Sequence, residues 1–215
     1  MQLDQNLLQI TSTIRETCEQ IGRDPESITF IAVSKTVDVS QMKVAYNLGV
    51  RDFGESRVQE MLAKVPHMPA DVRWHFIGKL QSNKIRKVVP TCTRIHTLES
   101  LSQVHEFERV GTHIEACVEV NIGLESQKSG ILPQSLDEFV AIVIQCKNIL
   151  LKGLMTIGPA NQNAELSRPY FEQMRMLTAR YGLSWLSMGM SNDYVVALQE
   201  GATHIRVGSA LFGER

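Results

Sequence analysis

The sequence predicts a (β/α)8 barrel of the TIM type, an α/β fold, preceded by one extra N-terminal helix. Short apolar runs alternate eight times with longer segments of helical periodicity, and the expected strand ends lie roughly 25 residues apart, the length of one βα unit. No linker or low-complexity tract divides the 215 residues, and neither a G-x-G-x-x-G nor a P-loop motif supports the alternative, an open doubly wound sheet. We therefore expect one domain over 1–215, with the helix in 1–24 and the barrel in 28–215.

The N-terminal helix is predicted from a stripe of apolar residues at spacings of three and four: Leu3, Leu7, Ile10, Ile14, Cys18 and Ile21. It should end near Gly22, because glycine and the following Asp24-Pro25 pair both stop helices. The strands should end near Lys35, Glu55, Gly78, Leu98, Asn121, Ile157, Met188 and Gly208. Helices should fill the intervals between the strands. The first ends at Tyr46, and the others cover 57–65, 83–89, 101–110, 136–146, 166–181 and 194–200; the last strand leads into a short tail, 209–215.

Charge and composition exclude several classes of function. The 22 Lys+Arg against 23 Asp+Glu give a formal net charge of −1, without the basic field expected of a protein that binds nucleic acid or acidic membranes. One local basic cluster, Lys79, Lys84, Arg86 and Lys87, is interpreted as a solvated helix face. The six histidines show no metal-ligand spacing, so no metal site is expected.

The cysteines and the N-terminus indicate a cytoplasmic protein. The four cysteines form no C-x-x-C pair, which argues against a disulfide framework and a zinc ribbon and favours a reducing compartment. The first residues lack the features of a signal peptide, and the longest apolar run, 139–144, is too short to span a bilayer.

Lys35 is the strongest candidate for chemistry, because it closes the first strand run, TFIAVSK. Active sites of such barrels lie where the strands end. There the ammonium would be partly desolvated, which favours the neutral amine and allows it to form a Schiff base with a carbonyl. The alternative is a lysine that simply extends from a strand end into solvent.

The loops after the seventh and eighth strands form the second candidate site. Gly189 and Ser191 follow the seventh strand, and Gly208 and Ser209 follow the eighth, at expected helix starts. Barrels commonly bind phosphate there, through glycine backbone, serine hydroxyls and free N–H groups. The alternative is that both serines only cap helices.

Arg206 lies within the eighth strand run, THIRVG, where alternation turns it to the side opposite Ile205 and Val207. A guanidinium inside a barrel needs an acceptor. A bound anion, a ring nitrogen or an internal Asp or Glu could serve. Together with Lys35 and the two loops, Arg206 suggests a site for a phosphorylated carbonyl, either a sugar phosphate or pyridoxal phosphate (PLP).

In its motifs, the sequence resembles the YggS/PROSC family of pyridoxal phosphate homeostasis proteins. The resemblance covers almost the whole chain and rests on AVSK, FGESRVQE, WHFIGKLQSNK, NIGLESQKSG, GLMTI, LSMGMSNDY and THIRVGSALFG. It implies a barrel like the N-terminal domain of alanine racemase that carries PLP as an internal aldimine on Lys35. It further implies that the residues around the cofactor are Arg206 at the pyridine nitrogen, Ser191, Gly208 and Ser209 at the phosphate, and Met188, Gly189 and Ser56 nearby.

Ser56 departs from the family pattern, which usually reads FGEN where this chain reads FGES. A hydroxyl can still donate and accept a hydrogen bond, but over a shorter reach than the amide of asparagine. The cofactor contact of that asparagine is therefore in question in this chain.

The resemblance implies cofactor holding and delivery that influences amino-acid and keto-acid pools, without robust catalysis. Arg206 can only donate a hydrogen bond, so it would keep the pyridine nitrogen unprotonated and the ring a weak electron sink. Only seven residues follow Gly208, too few for the second domain that completes alanine racemases. The expected partners are PLP and PLP-dependent apo-enzymes, and the expected state is a monomer. The rivals are a PLP-dependent amino-acid racemase and a lysine aldolase for a sugar phosphate.

Overall fold

The eight predicted strands form a closed barrel in the computed structural model, which describes residues 2–159 and 163–213. The strands are β1 Thr29–Val33, β2 Asp52–Glu55, β3 Arg73–Phe76, β4 Arg94–Leu98, β5 Ile114–Glu119, β6 Ile149–Met155, β7 Trp185–Ser187 and β8 His204–Val207. Each pairs in parallel with its neighbours in chain order, and β8 returns to β1 by pairing Arg206 with Ile31. The predicted (β/α)8 barrel is confirmed.

The helices of the described residues alternate with these strands. They are α1 Gln2–Gln20, α2 Val39–Asn47, α3 Val58–Lys64, α4 Ile85–Val88, α5 Leu101–Val110, α6 Leu136–Val143, α7 Arg168–Arg180, α8 Tyr194–Gln199 and α9 Ser209–Phe212. The helix predicted over 101–110 matches α5, which begins with a capping box between Ser100 and Gln103 and ends at Gly111, a residue with φ of 76°. The segment after β8, predicted as a short tail, begins with the helix α9, and its residues 214–215 lie outside the described residues.

Strand ends were predicted to within two residues. The ends at Glu55 and Leu98 are correct, and the other strands stop one or two residues earlier than expected. Single backbone hydrogen bonds of the sheet continue past the ends of β3 and β7. The Ile77 amide donates to the Glu55 carbonyl at 2.9 Å, and the Met188 amide donates to the His204 carbonyl at 3.1 Å.

Helix α1 packs outside the barrel against α8 and α9. Its stripe is buried at Leu7, Ile10, Ile14 and Cys18, whereas Ile21 lies past the helix end and is exposed. The Asn6 side chain donates to the Leu211 carbonyl at 2.9 Å, and Arg23 donates to the Leu198 carbonyl at 3.0 Å. The first bond joins α1 to α9, and the second joins the segment after α1 to α8.

All four cysteines are free thiols, and their spacing in the sequence also argued against disulfide bonds. Over residues 2–159 and 163–213, no helix combines the length and apolar character needed to cross a membrane.

Candidate functional site

Lys35 lies two residues beyond the end of β1, at the carboxyl end of the barrel, and its side chain is exposed. Of the two alternatives for Lys35, the structure shows the lysine that extends from the strand end into solvent. The reason is local: β1 ends at Val33, so that Lys35 and Thr36 belong to a surface turn rather than to the strand. Val37 is buried again directly after this turn.

Four residues next to the Lys35 turn form a cluster of charges and hydrogen bonds, here called the Lys64 cluster: the buried Ser34, Glu55 and Lys64, and the partly exposed Glu60. The Lys64 ammonium donates to Glu55 Oε1 at 2.8 Å, to Glu60 Oε1 at 2.6 Å and to the Ser34 carbonyl at 2.6 Å. The Ser34 hydroxyl donates to Glu55 Oε1 at 2.7 Å. An ammonium has three donors, so all the hydrogens of Lys64 are used.

The Lys64 cluster holds the backbone on both sides of Lys35. Before Lys35, the Ser34 carbonyl accepts a hydrogen bond from Lys64, and the Ser34 hydroxyl donates one to Glu55. After Lys35, the Thr36 amide donates to the Glu60 carboxylate. Thr36 has φ of 60°, a left-handed conformation that costs a β-branched residue about 1–2 kcal/mol. The turn that presents Lys35 is thus imposed by buried charges rather than by local preference.

The two carboxylates of the Lys64 cluster differ in their electrostatics. Burial raises the pKa of Glu55 and outweighs its hydrogen bonds from Lys64 and Ser34. Burial also acts on Glu60, but there the hydrogen bonds from Lys64 and Thr36 prevail and lower its pKa. The second carboxylate oxygen of Glu55, Oε2, is buried without a hydrogen-bond partner among the described residues.

Arg206 is buried, with 4% of its surface exposed, as expected for an inward-facing strand residue. Its Nη1 donates to Ser187 Oγ at 2.7 Å, and its Nη2 donates to the Thr156 carbonyl at 2.7 Å. Both acceptors are neutral, and no carboxylate in 2–159 or 163–213 makes a direct ion pair with Arg206. The charges of Glu119 and Asp193 act on Arg206 from a longer distance and oppose the effect of burial on its pKa. Burial lowers the pKa of Arg206 to about 10.

The loops after β7 and β8 meet at Ser191. The Ser191 hydroxyl oxygen accepts hydrogen bonds from the amides of Gly208 and Ala210, each at 3.2 Å, so this serine binds the opposite loop instead of capping its own helix. Gly189 has φ of 89°, and a Cβ there would lie 2.5 Å from the Cβ of Ala197. Only glycine fits this position without a shift.

The remaining predicted site residues lie around these loops. Met188 and Gly189 are buried, while Ser209 is exposed at the start of α9. Ser56 lies one residue beyond β2 and is half-buried, and its hydroxyl makes no hydrogen bond with the described residues. A Cβ at Gly78 would lie 2.2 Å from the Ser56 carbonyl oxygen, so the loop after β3 is in backbone contact with Ser56.

A cavity of about 190 Å³ lies on the other side of the barrel mouth, lined in part by Gly78, Lys79, Thr97, Glu119 and Lys128. Glu119 is 6% exposed, and burial together with the charge of Glu99 raises its pKa to about 7. None of the predicted cofactor residues lines this cavity.

Sequence reasoning missed Lys64, Glu60, His75 and His96. The histidines stand at inward positions of β3 and β4, and their ring nitrogens contact each other at 2.9 Å. A polar residue at an inward position of a short apolar strand was the available signal. Within the described ranges, no cluster of histidine, cysteine, aspartate or glutamate could hold a metal ion.

Comparisons with known proteins cover nearly the whole chain. The model of the family described as alanine racemase, N-terminal domain, matches residues 6–215. A protein of Aquifex aeolicus named pyridoxal phosphate homeostasis protein is 37% identical over 222 aligned residues, which cover 98% of this chain and 97% of that protein.

Two solved structures of PipY from Synechococcus elongatus are also similar. The structure without PLP is 35% identical with a TM-score of 0.86, covering 98% of this chain and 100% of PipY. The structure with PLP bound is 34% identical with a TM-score of 0.80, covering 94% of this chain and 100% of PipY.

Proposed function

Because this chain belongs to the pyridoxal phosphate homeostasis proteins, within the alanine racemase N-terminal domain family, we propose that it binds PLP and holds it for delivery within the cytoplasm. The observation that carries the proposal is the PLP-bound structure of PipY, a relative 34% identical over 94% of this chain. PLP supplies an aldehyde that condenses with primary amines, which is the chemistry that PLP-dependent enzymes need.

The residues at the barrel mouth fit this cofactor. Lys35 offers an exposed primary amine on a firmly held turn, so its Nζ can form a C=N bond with the aldehyde carbon while one water leaves. Ser191 accepts from the amides of Gly208 and Ala210, which fixes its oxygen between the two loops and leaves its hydroxyl hydrogen to donate to a phosphate, together with the exposed hydroxyl of Ser209. Arg206 supplies a buried donor for the ring nitrogen, near Met188, Gly189 and Ser56.

Holding, rather than fast turnover, is supported by the charge state of Arg206. With a pKa of about 10, its guanidinium is protonated at neutral pH and can only donate a hydrogen bond. A ring nitrogen that accepts this bond stays unprotonated, which weakens the electron withdrawal that racemases need. The exposure of Lys35 also favours release, because an amine of another protein can reach the same carbon.

The test is the absorption spectrum of the purified protein with PLP, before and after borohydride. Wild type should show a visible band that borohydride removes, with the mass of the cofactor fixed on Lys35. Lys35→Ala should show no such band, whereas Lys43→Ala, which removes an exposed lysine of α2, should behave as wild type. A colourless wild type that borohydride traps only with a sugar phosphate would instead support the aldolase.

Turnover and delivery are separated by two further measurements. The loaded protein should exchange the α-hydrogen of amino acids with deuterated water no faster than free PLP does, whereas an amino-acid racemase should exchange it steadily. The loaded protein should also restore activity to a PLP-dependent apo-enzyme. If the loaded protein activates no apo-enzyme, it stores PLP without delivering it. A separate measurement, gel filtration, should show a monomer with and without PLP.

A further inference from the structure

A chain of hydrogen bonds crosses the barrel interior and ends on Arg206; it is here called the interior chain and consists of Asp52, His75, His96, Ser187 and Arg206. The bond from His96 to Ser187 joins β4 to β7. These strands are separated by β5 and β6 in the closed sheet, so the bond must pass through the interior. Barrel interiors are usually filled by branched apolar side chains, and a polar chain in their place requires a reason.

Every link of the interior chain has the length of a good hydrogen bond. Asp52 Oδ1 to His75 Nε2 is 2.9 Å, and His75 Nδ1 to His96 Nε2 is 2.9 Å. His96 Nδ1 to Ser187 Oγ is 2.8 Å, and Ser187 Oγ to Arg206 Nη1 is 2.7 Å. The first residue, Asp52, is also bound by two nitrogens of Arg73, whose side chain reaches the surface.

The charges at the two ends determine the state of the aspartate and of the rings. Burial alone would raise the pKa of Asp52, but hydrogen bonds from Arg73 and His75 outweigh burial and hold the pKa well below its ordinary value. Burial lowers the pKa of His75 and, further, that of His96, so both rings are neutral at pH 7. Each ring therefore carries one hydrogen and one acceptor nitrogen.

These states leave a single arrangement of hydrogens. Ionised Asp52 only accepts, so His75 donates from Nε2 and accepts at Nδ1. His96 must then donate from Nε2 to His75 and accept at Nδ1. The Ser187 hydroxyl consequently donates to His96, and its oxygen accepts from Arg206, which only donates. All four hydrogens point towards Asp52.

We propose that Ser187, His96 and His75 are positioning residues that fix the guanidinium of Arg206 through the interior chain; this inference rests on the proposed function for the ligand that Arg206 faces. Because the Ser187 hydrogen is committed to His96, a lone pair of its oxygen is kept permanently available for Nη1 of Arg206. The Thr156 carbonyl holds Nη2, and Nε makes no hydrogen bond within the described part of the chain. The guanidinium is thus held in place before any ligand arrives.

The first part of the test uses the protein without cofactor. Nitrogen NMR should show His75 and His96 as neutral rings with the hydrogen on Nε2, and separate Nη signals for Arg206, because a fixed guanidinium does not rotate. A hydrogen on Nδ1 of either ring, a doubly protonated ring at pH 7, or averaged Nη signals would overturn the proposal even if the protein binds PLP.

The second part uses Ser187→Ala, with Ser187→Thr as the rescue and His204→Phe as the matched control. His204 is buried, its ring centre lies 5.7 Å from that of His96, and its side chain bonds to Thr203 rather than to the interior chain. Ser187→Ala should average the Arg206 Nη signals, weaken PLP binding about tenfold and move the absorption maximum of bound PLP. Ser187→Thr should restore all three properties, and His204→Phe should leave them as in wild type.

The two hypotheses can fail separately. If wild type binds no PLP, the proposed function fails, while the Arg206 signals of Ser187→Ala still decide the inference. The inference fails if Ser187→Ala retains the wild-type Arg206 signals and PLP spectrum, or if His204→Phe alters them equally. The interior chain would then only pack the barrel interior without positioning Arg206.

Discussion

Lys35 and Arg206 are both assigned to the same ligand, yet the structure holds them in opposite ways. Lys35 is exposed, and the ions of the Lys64 cluster fix its backbone while leaving its amine free. Arg206 is buried, and its side chain is fixed by neutral acceptors of the interior chain and by Thr156. Under the proposed function, this difference separates two tasks: a reactive amine must meet incoming partners, and a group that recognises the ligand must keep one orientation.

The largest effect is expected from Lys64→Met, which removes the only cation of the Lys64 cluster. Glu55 and Glu60 would then lie close together, one fully buried, without a counter-charge. We expect urea denaturation to show a loss of about 3–5 kcal/mol in the free energy of unfolding. Lys43→Met removes an exposed lysine and should change it by less than about 0.5 kcal/mol. Equal effects of the two variants would mean that the cluster adds no stability.

A smaller loss is expected from His96→Phe in the interior chain. It leaves His75 Nδ1 and the Ser187 hydroxyl without their partners inside the barrel. We expect a total loss of about 2–3 kcal/mol, because both unpaired groups are neutral, the Ser187 oxygen keeps its bond from Arg206, and Asp52 keeps Arg73, so that no charge is stranded. His105→Phe on the exposed face of α5 is the control. A loss larger than that of Lys64→Met would reverse the comparison between the two regions.

Two buried groups, His204 beside the interior chain and Glu55 in the Lys64 cluster, should make pH-dependent contributions to stability of opposite sign. His204, beside the interior chain, has its pKa lowered by burial from 6.5 to about 3, so between these values the unfolded chain binds more protons. Its contribution to stability is complete above pH 6.5 and is lost as the pH falls towards 3, by up to about 1.4 kcal/mol per pH unit. Chemical denaturation from pH 7 to pH 4 should be less pH-dependent in His204→Phe than in wild type.

Glu55 acts in the other direction, because burial raises its pKa above the ordinary value of 4.5. The folded state then binds the extra proton, so its contribution is complete below pH 4.5 and is lost as the pH rises through the raised pKa. Glu55→Gln removes this opposing contribution and should make the loss of stability on acidification steeper than in wild type. An unchanged pH dependence would contradict the direction of the pKa shift.

The smallest effect is expected at Thr36, whose φ of 60° is imposed by the Lys64 cluster. Thr36→Gly removes the strain of a left-handed threonine but adds freedom to the unfolded chain, for a net gain of about 0.5–1 kcal/mol. In the background of Lys64→Met the gain should disappear, because the turn is then free to relax. A gain that persists in the double variant would show that the cluster does not impose the turn.

The fold could be predicted because its signals are local. Each strand of the barrel is a short apolar run with a helical segment after it, and the parallel order follows from that alternation. The capping box at Ser100 and Gln103, with Gly111 behind α5, explains why this helix was predicted to the residue. Helix α6 was predicted three residues too long, because its apolar run continues through Ile144 beyond the last helical turn.

The site could be predicted only where single residues end a strand or begin a helix. Arg206 was placed correctly inside the barrel by strand alternation, but its acceptors, Ser187 and Thr156, come from other strands and leave no local signal. The sequence left open whether Lys35 is desolvated or extends into solvent, because the turn that exposes it depends on Glu60 and Lys64, which lie on α3. Contacts between distant residues of the chain are what a single sequence does not display.

The bonds from Asn6 of α1 to Leu211 and from Arg23 to Leu198, together with the pairing of β1 with β8, have a consequence for the order of events during translation. The helix and strand that leave the ribosome early find their partners only in the last segments to be made. The barrel therefore closes at its final seam, between the strand that leads to Lys35 and the strand that carries Arg206. A nascent chain stalled before β8 would contain Lys35 but not Arg206. Under the proposed function, PLP binding would therefore require a completed chain.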